Sequence, residues 1–598
     1  MKLRSEKLAQ SGNTLVVTLI TLILVSVFVS TALDYTNGIN RNVHRSILYH
    51  QATNIADSST EMAFSSWRAI CRQNQSKVYP LSSFTTAIPT PTPGDFPGVA
   101  TYTLLNYEVY PLNSTWTKLT TASATPAPIA GPNHGDLSYY YLATADVVIP
   151  TLDSKSATSE TDTGNVVAKV RRVFDKETLS LWRYAVFYND DMEIHPGATM
   201  AINGDVHTNG SLYTGHSDLA LDGVTTYVNS WTIGFDPNED SHAGETPESP
   251  TWATGLPPAA STTQQPYGVA LSDYHQLIDY TSQTTTLDPY RFQEQAGVVV
   301  TIDANNNVVI YNSAGTNITS KTGHSNDGNT AAAFKAAIST NQTIVDNRQG
   351  ATTGNANIRV ATLDVSVIEA AMDSTSSKSD FTISKSITST GQTVNNMVYI
   401  VDTSGITGSS QRAIRIKNGG KLPSGGLTIA SANPIYVQGD YNTGASGTTL
   451  PQSDSSTPDP TQPTVAGYTR QPAAIVGDAV TVLSNSWLDS KAGTMPTASN
   501  TTVNAAFISG IVPSANGNYS GGVENFPRFL EDWGNKQFTY YGSMIELYNS
   551  QQAIGKWGAG NVYNPPNRAW YFDTNFVSSP PPGVLASFNY NRSRWYME

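Results

Sequence analysis

Residues 14–33 read TLVVTLITLILVSVFVSTAL, and no charged side chain occurs anywhere from residue 8 to residue 33. About 20 apolar residues in a helix span a bilayer core of about 30 Å. Lys2, Arg4 and Lys7 precede the run, and a basic flank keeps the N-terminus cytoplasmic and sends the rest of the chain outside. A cleaved secretory signal would have a shorter apolar region, of about 7–15 residues, followed by a small-x-small site. Here 29–31 and 30–32 match such a site only weakly, so the reading is a retained single-pass anchor with a periplasmic head.

The helix is expected to continue beyond the membrane. The first proline is Pro80, and Ile47, Leu48, Ala52, Ile55, Ala63, Phe64, Trp67 and Ile70 form a one-sided apolar stripe. Gly38 is a candidate bend. A helix over 14–72 would be roughly 90 Å long at 1.5 Å per residue. A basic leader ending in Ser11-Gly12, then an apolar helix running into an amphipathic one, resembles type IV prepilins and pseudopilins. Ser11-Gly12-Asn13-Thr14-Leu15-Val16-Val17 is similar to the start of PilX-type pilus-assembly proteins. The polar run Ala52 to Ala63, with Asp57 and Glu61, is similar to their A-x-x-x-A-E-x-A region. The resemblance implies cleavage by a prepilin peptidase between Gly12 and Asn13. It also implies partners among other prepilin-like subunits and an inner-membrane assembly platform. The family's glutamate at the fifth mature position would fall on Val17, so that carboxylate is missing here.

Composition bounds the rest. The chain has 598 residues, too many for one ordinary core. Charged residues are 14%, against roughly 25% in an average soluble protein, and Ser, Thr, Asn and Gly take their place. That favours β structure rich in turns. The net charge is −13 and no basic patch follows the first fifty residues, so nucleic acid is not an expected partner. Cys71 is the only cysteine, which excludes an internal disulfide and a multi-thiolate zinc site; a buried structural thiol is expected.

Residues 101–110, 139–149 and 166–174 read as strands of a small β-rich module, with proline-rich loops at 89–93 and 125–128. Residues 177–188 read as a short helix or the module's last strand. From about Met192 short apolar runs alternate with Gly, Asn and Asp. One pattern recurs: Ile202-Asn203-Gly204-Asp205, Val437-Gln438-Gly439-Asp440 and Ile475-Val476-Gly477-Asp478. Gly204, Gly439 and Gly477 are read as corners. Short strands with corners suggest a right-handed β-solenoid-like head with insertions at 245–266 and 444–472. Further short strands are expected at 413–416, 426–429, 433–437 and 505–512. Helices are expected at 361–372 and 525–533. The aromatic C-terminal part, with Trp533, Phe538, Tyr540, Trp570 and others, is read as a cover over the end of the stack. The expected organisation is mainly β: leader 1–12, helix 13–72, small module 73–190 and head 191–598.

No Gly-x-Ser-x-Gly elbow, Walker loop or His-Glu-x-x-His occurs. His195, His207, His216 and His242 match no metal spacing, and 236–240 resembles a calcium loop but has Ser241 and Pro247 where Gly and Glu belong. Asp190, Asp191, Glu193 and Asp205 could supply the carboxylates of a β-helical polysaccharide hydrolase or lyase. Solvated corner residues are the plainer reading. No catalytic, cofactor or metal residue is assigned. The expected role is a non-catalytic minor-pilin-like envelope protein acting in filament initiation, tip display, adhesion or secretion-system assembly, with a surface or carbohydrate ligand for its head. The alternatives are an anchored or secreted β-solenoid enzyme acting on polysaccharide, and a stand-alone envelope scaffold.

Overall fold

The computed structural model describes residues 3–598 except 74–77, 99–100, 131–136, 180, 239–244, 254, 265–272, 283–287, 355, 374–380, 388–391, 405–410, 446–462, 492–494, 516–520, 558–561, 578 and 584–586. The protein is mainly β, led by one long helix.

Helix α1 runs unbroken over Leu3–Gln73. No proline interrupts it, and Gly38, read as a candidate bend, stays helical with open space around its Cα. Residues 13–47 are exposed along their whole length. The second half packs on an antiparallel sheet of β1 (Thr103–Pro111), β2 (Leu137–Pro150) and β3 (Asn165–Leu179), paired in that order. Small residues let helix and sheet approach: Ala52, Ile55 and Ala56 meet Ala145, Val147, Ile149, Val166, Ala168 and Val170. Lower down, Trp67 is fully buried against Phe64, Tyr141 and Phe174. Cys71 lies in the same cluster, fully buried. Burial pushes its thiol up to about 12, with Lys176 opposing.

The sheet's fourth strand comes from the other end of the chain. β4 (Ser587–Met597) pairs antiparallel with β3, from Ser587 opposite Leu179 to Met597 opposite Val170. Local reading put these residues in the head. The pairing puts them in the small sheet, so everything between β3 and β4 is an excursion that leaves the sheet and returns to it. Past β3 come a short 3-10 turn, Leu181–Arg183, and the strand Val186–Tyr188.

In most of the head, consecutive strands go to different sheets and later strands pair with them in parallel; Val298–Ile302 with Val308–Asn312, Ile338–Val345 with Asn357–Asp364, and Ser384–Ile387 with Gln392–Asn395 are antiparallel pairs. Val186–Tyr188, Met192–Ile194 and Met200–Asn203 are followed by Val206–Thr208, Leu212–Thr214 and Leu219–Asp222, each pairing with its predecessor. Thr225–Tyr227, Trp231–Ile233 and Thr251–Trp252 repeat the pattern. The chain then restarts at the opposite end of the eleven-stranded sheet. Val298–Ile302, Met397–Asp402, Leu427–Ala430, Ala473–Gly477, Ala506–Ile511 and Met544–Asn549 pair in parallel in that order. The last of them pairs with Val186–Tyr188. Two separately started stacks therefore meet in the middle, and their apolar faces share one core.

This meeting point relocates the aromatic residues. Phe538, Tyr540 and Trp570 are buried inside the six-stranded sheet whose order is Thr501–Asn504, Gln537–Gly542, Asn567–Phe572, Met200–Asn203, Leu219–Asp222, Thr251–Trp252 in one direction. They fill the middle of a stack and cover no end. Residues 525–533 are not the expected helix: after a 3-10 turn at Val523–Asn525, Pro527–Arg528 pairs in parallel with Val480–Leu483. Phe526, Phe529, Leu530 and Trp533 are all buried, and the parallel pairing overrides their helical spacing. The helix expected at 361–372 forms only as Val365–Met372, because Asn357–Asp364 is a strand paired with Arg412–Lys417.

Candidate functional sites: a helix clamp and a polar groove

The polar run of α1 does structural work on the sheet. Asp57 and Glu61 lie one helical turn apart and both reach Arg172 of β3, Asp57 at 2.8 Å. Glu61 also binds Arg592 of β4, and Trp595 donates its Nε1–H to Asp57 at 2.8 Å. Arg172 is 14% exposed, enough desolvation for its two carboxylates to matter more than a surface pair. Tyr590 of β4 lies edge-on to Trp67 with centroids 5.7 Å apart. The helix thus holds the returning strand by both charge and packing.

The N-terminal residues are placed as follows. Gly12 and Asn13 lie within α1, and Asn13 is exposed. Val17 is 62% exposed, among exposed Leu15, Val16, Leu19 and Ile20. The segment from Asn13 is the one described helix long and apolar enough to cross a membrane.

Gly204 and Gly439 follow a strand directly, whereas Gly477, also read as a corner, is the last residue of the strand Ala473–Gly477 and pairs with Ser509; the three need glycine for different reasons. Gly204 has φ +137° and a Cβ there would meet the Phe572 side chain at 2.7 Å; Gly439 has φ +81°. Gly477 has no positive φ, but a Cβ would lie 2.9 Å from Ile435 and 3.0 Å from the Asn433 carbonyl. The Asp that follows each glycine ties backbone together: Asp205 accepts from Val224 N–H at 2.9 Å and Asp440 from Thr502 N–H at 2.8 Å. Asp478 accepts from the N–H groups of Gln551, Gln552 and Ala553.

Of the four candidate carboxylates, Asp190, Asp191 and Glu193 line one cavity of about 450 Å³, with Asp236. Asp205 is not on it. Asp191 accepts from Ser211 N–H at 2.6 Å and Glu193 from Asp236 N–H at 2.7 Å, so these groups brace backbone. His195 and His216 touch at 5.2 Å between centroids. His207 stacks on Tyr184 and Phe187, and burial holds it down to about 4. His242, Glu239 and Asp240 lie outside the described residues. Among the described residues no group of three or more His, Cys, Asp or Glu side chains is placed to hold a metal ion.

A cavity of about 790 Å³ was not foreseen. It opens beside the sheet containing Arg412–Lys417 and Ile435–Gln438 and is walled by the loop at 551–554. That loop is clamped: Arg528 donates to the carbonyls of Ala553 at 2.8 Å and Gly555 at 2.9 Å, and Gln349 donates to the Gln552 carbonyl at 2.8 Å. On one wall His275 lies between Asp279 at 2.7 Å and Asp478 at 3.3 Å. Burial pushes His275 down, but its bonds and attraction to both carboxylates outweigh that and lift it to about 9. Asp346 is occupied too, by Tyr436 Oη–H at 2.8 Å and Gln349 N–H at 2.8 Å. The groove residues come from segments between 275 and 554, and nothing local in the sequence links them.

No family model matches the chain, and no curated protein matches it. A solved structure described as the crystal structure of competence-associated pilin ComZ from Thermus thermophilus matches it at 9% identity, over 93% of this chain and 98% of that one. The TM-score is 0.27, and at that score the likeness carries no argument about fold or function.

Proposed function

We propose that the protein is a non-catalytic, pilin-like envelope subunit, anchored by α1, that starts or tips a filament. The observation that carries this is the division of α1. Residues 13–47 are exposed and mostly apolar through 33, while the continuation packs on a five-stranded antiparallel sheet. An apolar helix surface of that length needs lipid or other helices around it. Both environments suit a subunit that waits in a membrane and then joins helices of its own kind.

Val17 sharpens the reading. Cleavage after Gly12 leaves an ammonium on Asn13, and an unpaired charge in an apolar bundle is costly. A glutamate at the position of Val17 would answer the ammonium of a subunit already in place. This chain lacks that glutamate but keeps the N-terminus, so it can receive a follower without needing a predecessor. The excursion between β3 and β4, read here as a right-handed β-solenoid head built from the parallel stacks, is bulky and suits an end better than a repeating shaft. Partners are then other prepilin-like subunits, a prepilin peptidase and an inner-membrane platform.

N-terminal analysis of membrane-purified protein is expected to find Asn13 first, and labelled protein is expected at filament ends in very low copy number. A chain starting at Met1, or regular labelling along the shaft, would overturn the proposal.

A further inference from the structure

The cavity of about 790 Å³ falls within the size of ordinary ligand pockets, about 300–1,000 Å³. Its polar groups are not balanced among themselves. Arg412 is 9% exposed and lines it, and its Nε and Nη1 are buried with no hydrogen-bond partner. Arg359 does not line the cavity but stands directly beside Arg412 in the parallel register; its Nη1 donates to the Ala304 carbonyl, with Asp303 nearby, and its Nη2 is buried without a partner. Like charges side by side on neighbouring strands repel. The carboxylates on the cavity wall are already engaged and do not bond Arg412. Asp279 is engaged by His275 and Asp346 by Tyr436 and Gln349. Asp402 attracts Arg412 but bonds Ser404 instead. Arg291 and Arg528, also on the wall, each keep a buried Nε without a partner. A buried guanidinium without acceptors costs several kcal/mol in order of magnitude, so this arrangement fits an anionic guest.

The remaining wall narrows the guest. Gln349, Gln411, Gln551 and Gln552 line it with Thr281, Thr353 and Thr481. Amides and hydroxyls both donate and accept. A bare inorganic anion only accepts and would leave the amide oxygens idle. A sugar ring offers many hydroxyls that do both, and its C–H faces suit Tyr280, Ile358 and Ile554, which also line the cavity.

We propose that this groove binds an acidic oligosaccharide, with a sugar carboxylate seated on Arg412. The inference rests on the head alone and holds wherever the protein sits, so its failure would leave the filament proposal standing, and the reverse.

The test is calorimetric titration of the full-length protein in detergent with trisaccharides of galacturonate, glucuronate, mannuronate and guluronate, and with their neutral counterparts. At least one acidic trisaccharide is expected to bind saturably, about tenfold or more tighter than its neutral form. Arg412→Gln is expected to abolish that preference. Gln411→Glu, a change at a half-buried wall position, is expected to weaken the acidic sugar about tenfold more than the neutral one. Thermal unfolding of both variants checks the fold, and Gln411→Glu decides the matter if Arg412→Gln unfolds. The proposal is overturned if none of the four binds below ~1 mM. Equal binding of neutral forms, unchanged affinity in the folded variants, or full displacement by equimolar inorganic phosphate would overturn it as well.

Discussion

The two halves of α1 reverse what hydropathy alone would suggest about burial. Residues 14–33 are apolar throughout and wholly exposed; residues 52–71 include Asp57, Ser58, Ser59, Thr60 and Glu61, yet they bury Ala52, Ile55, Ala56, Ala63, Trp67 and Cys71. A polar average with a one-sided stripe finds its partner inside the chain. A uniformly apolar segment has no preferred face, and no described element of the chain covers it. On the reading proposed above its partner is lipid or another helix.

Substitutions can separate the halves. The largest effect is expected from Trp67→Ala, which empties the centre of the helix–sheet contact and should cost about 3–5 kcal/mol. Thermal unfolding of detergent-solubilised protein measures it, and membrane retention should not change. Val25→Arg is expected to do the opposite. A charge at the middle of the exposed half costs about 2.5–3.5 kcal/mol of insertion, read as protein released by alkaline extraction, with unfolding unchanged. If Val25→Arg destabilised the sheet as well, the two halves would not be independent.

A smaller loss is expected from Glu61→Ala. Glu61 and Arg592 are 36% and 51% exposed, so solvent screens that pair, while Arg172 keeps Asp57. The expected cost is about 1 kcal/mol or less, and hydrogen exchange should rise first in β4. Protection of β4 equal to wild type would show that Tyr590 packing alone holds the strand. A loss of similar size at neutral pH is expected for Cys71→Ser, under about 1.5 kcal/mol. Its consequence lies in alkaline solution. Burial raises the thiol to about 12 in the folded chain, against about 8.5 unfolded. Its contribution is complete below pH 8.5 and is lost as pH rises towards 12. Lys176, pushed down to about 8 by burial, contributes the opposite slope between about 8 and 10.4. Removing the thiol should therefore turn a nearly level stability profile across that window into a rising one, as followed by unfolding at a series of pH values.

How much was legible varied with the distance over which each signal acts. The three strands of the small module were readable because β-branched and aromatic runs are local, and each was placed within a few residues. β4 was not, although Tyr590, Trp595 and Tyr596 look like strand residues. Its pairing partner lies across the whole head, and an antiparallel partner leaves no mark in the sequence. Gly204 and Gly439 were read as corners from a short pattern, and a positive φ is a local property that glycine announces. Gly477 carries the same pattern for another reason, the closeness of Ile435, which only a neighbouring strand supplies. The helix expected over 525–533 failed through the same blindness: Phe526, Phe529 and Trp533 have helical spacing, but parallel pairing with Val480–Leu483 took the backbone instead.

By itself the sequence determined the long N-terminal helix, its apolar exposed half, the predominance of β structure and the absence of an internal disulfide. These follow from the solvent preference and backbone freedom of residues close together in the chain. Tertiary structure alone decided that the C-terminus closes the first sheet. It also decided that two stacks started at opposite ends meet at Val186 and Met544, and that Arg412, paired in register with Arg359, stands on a polar groove. The physical reason is that parallel pairing and shared burial join residues hundreds of positions apart, where chain entropy and packing, not local propensity, select the partner.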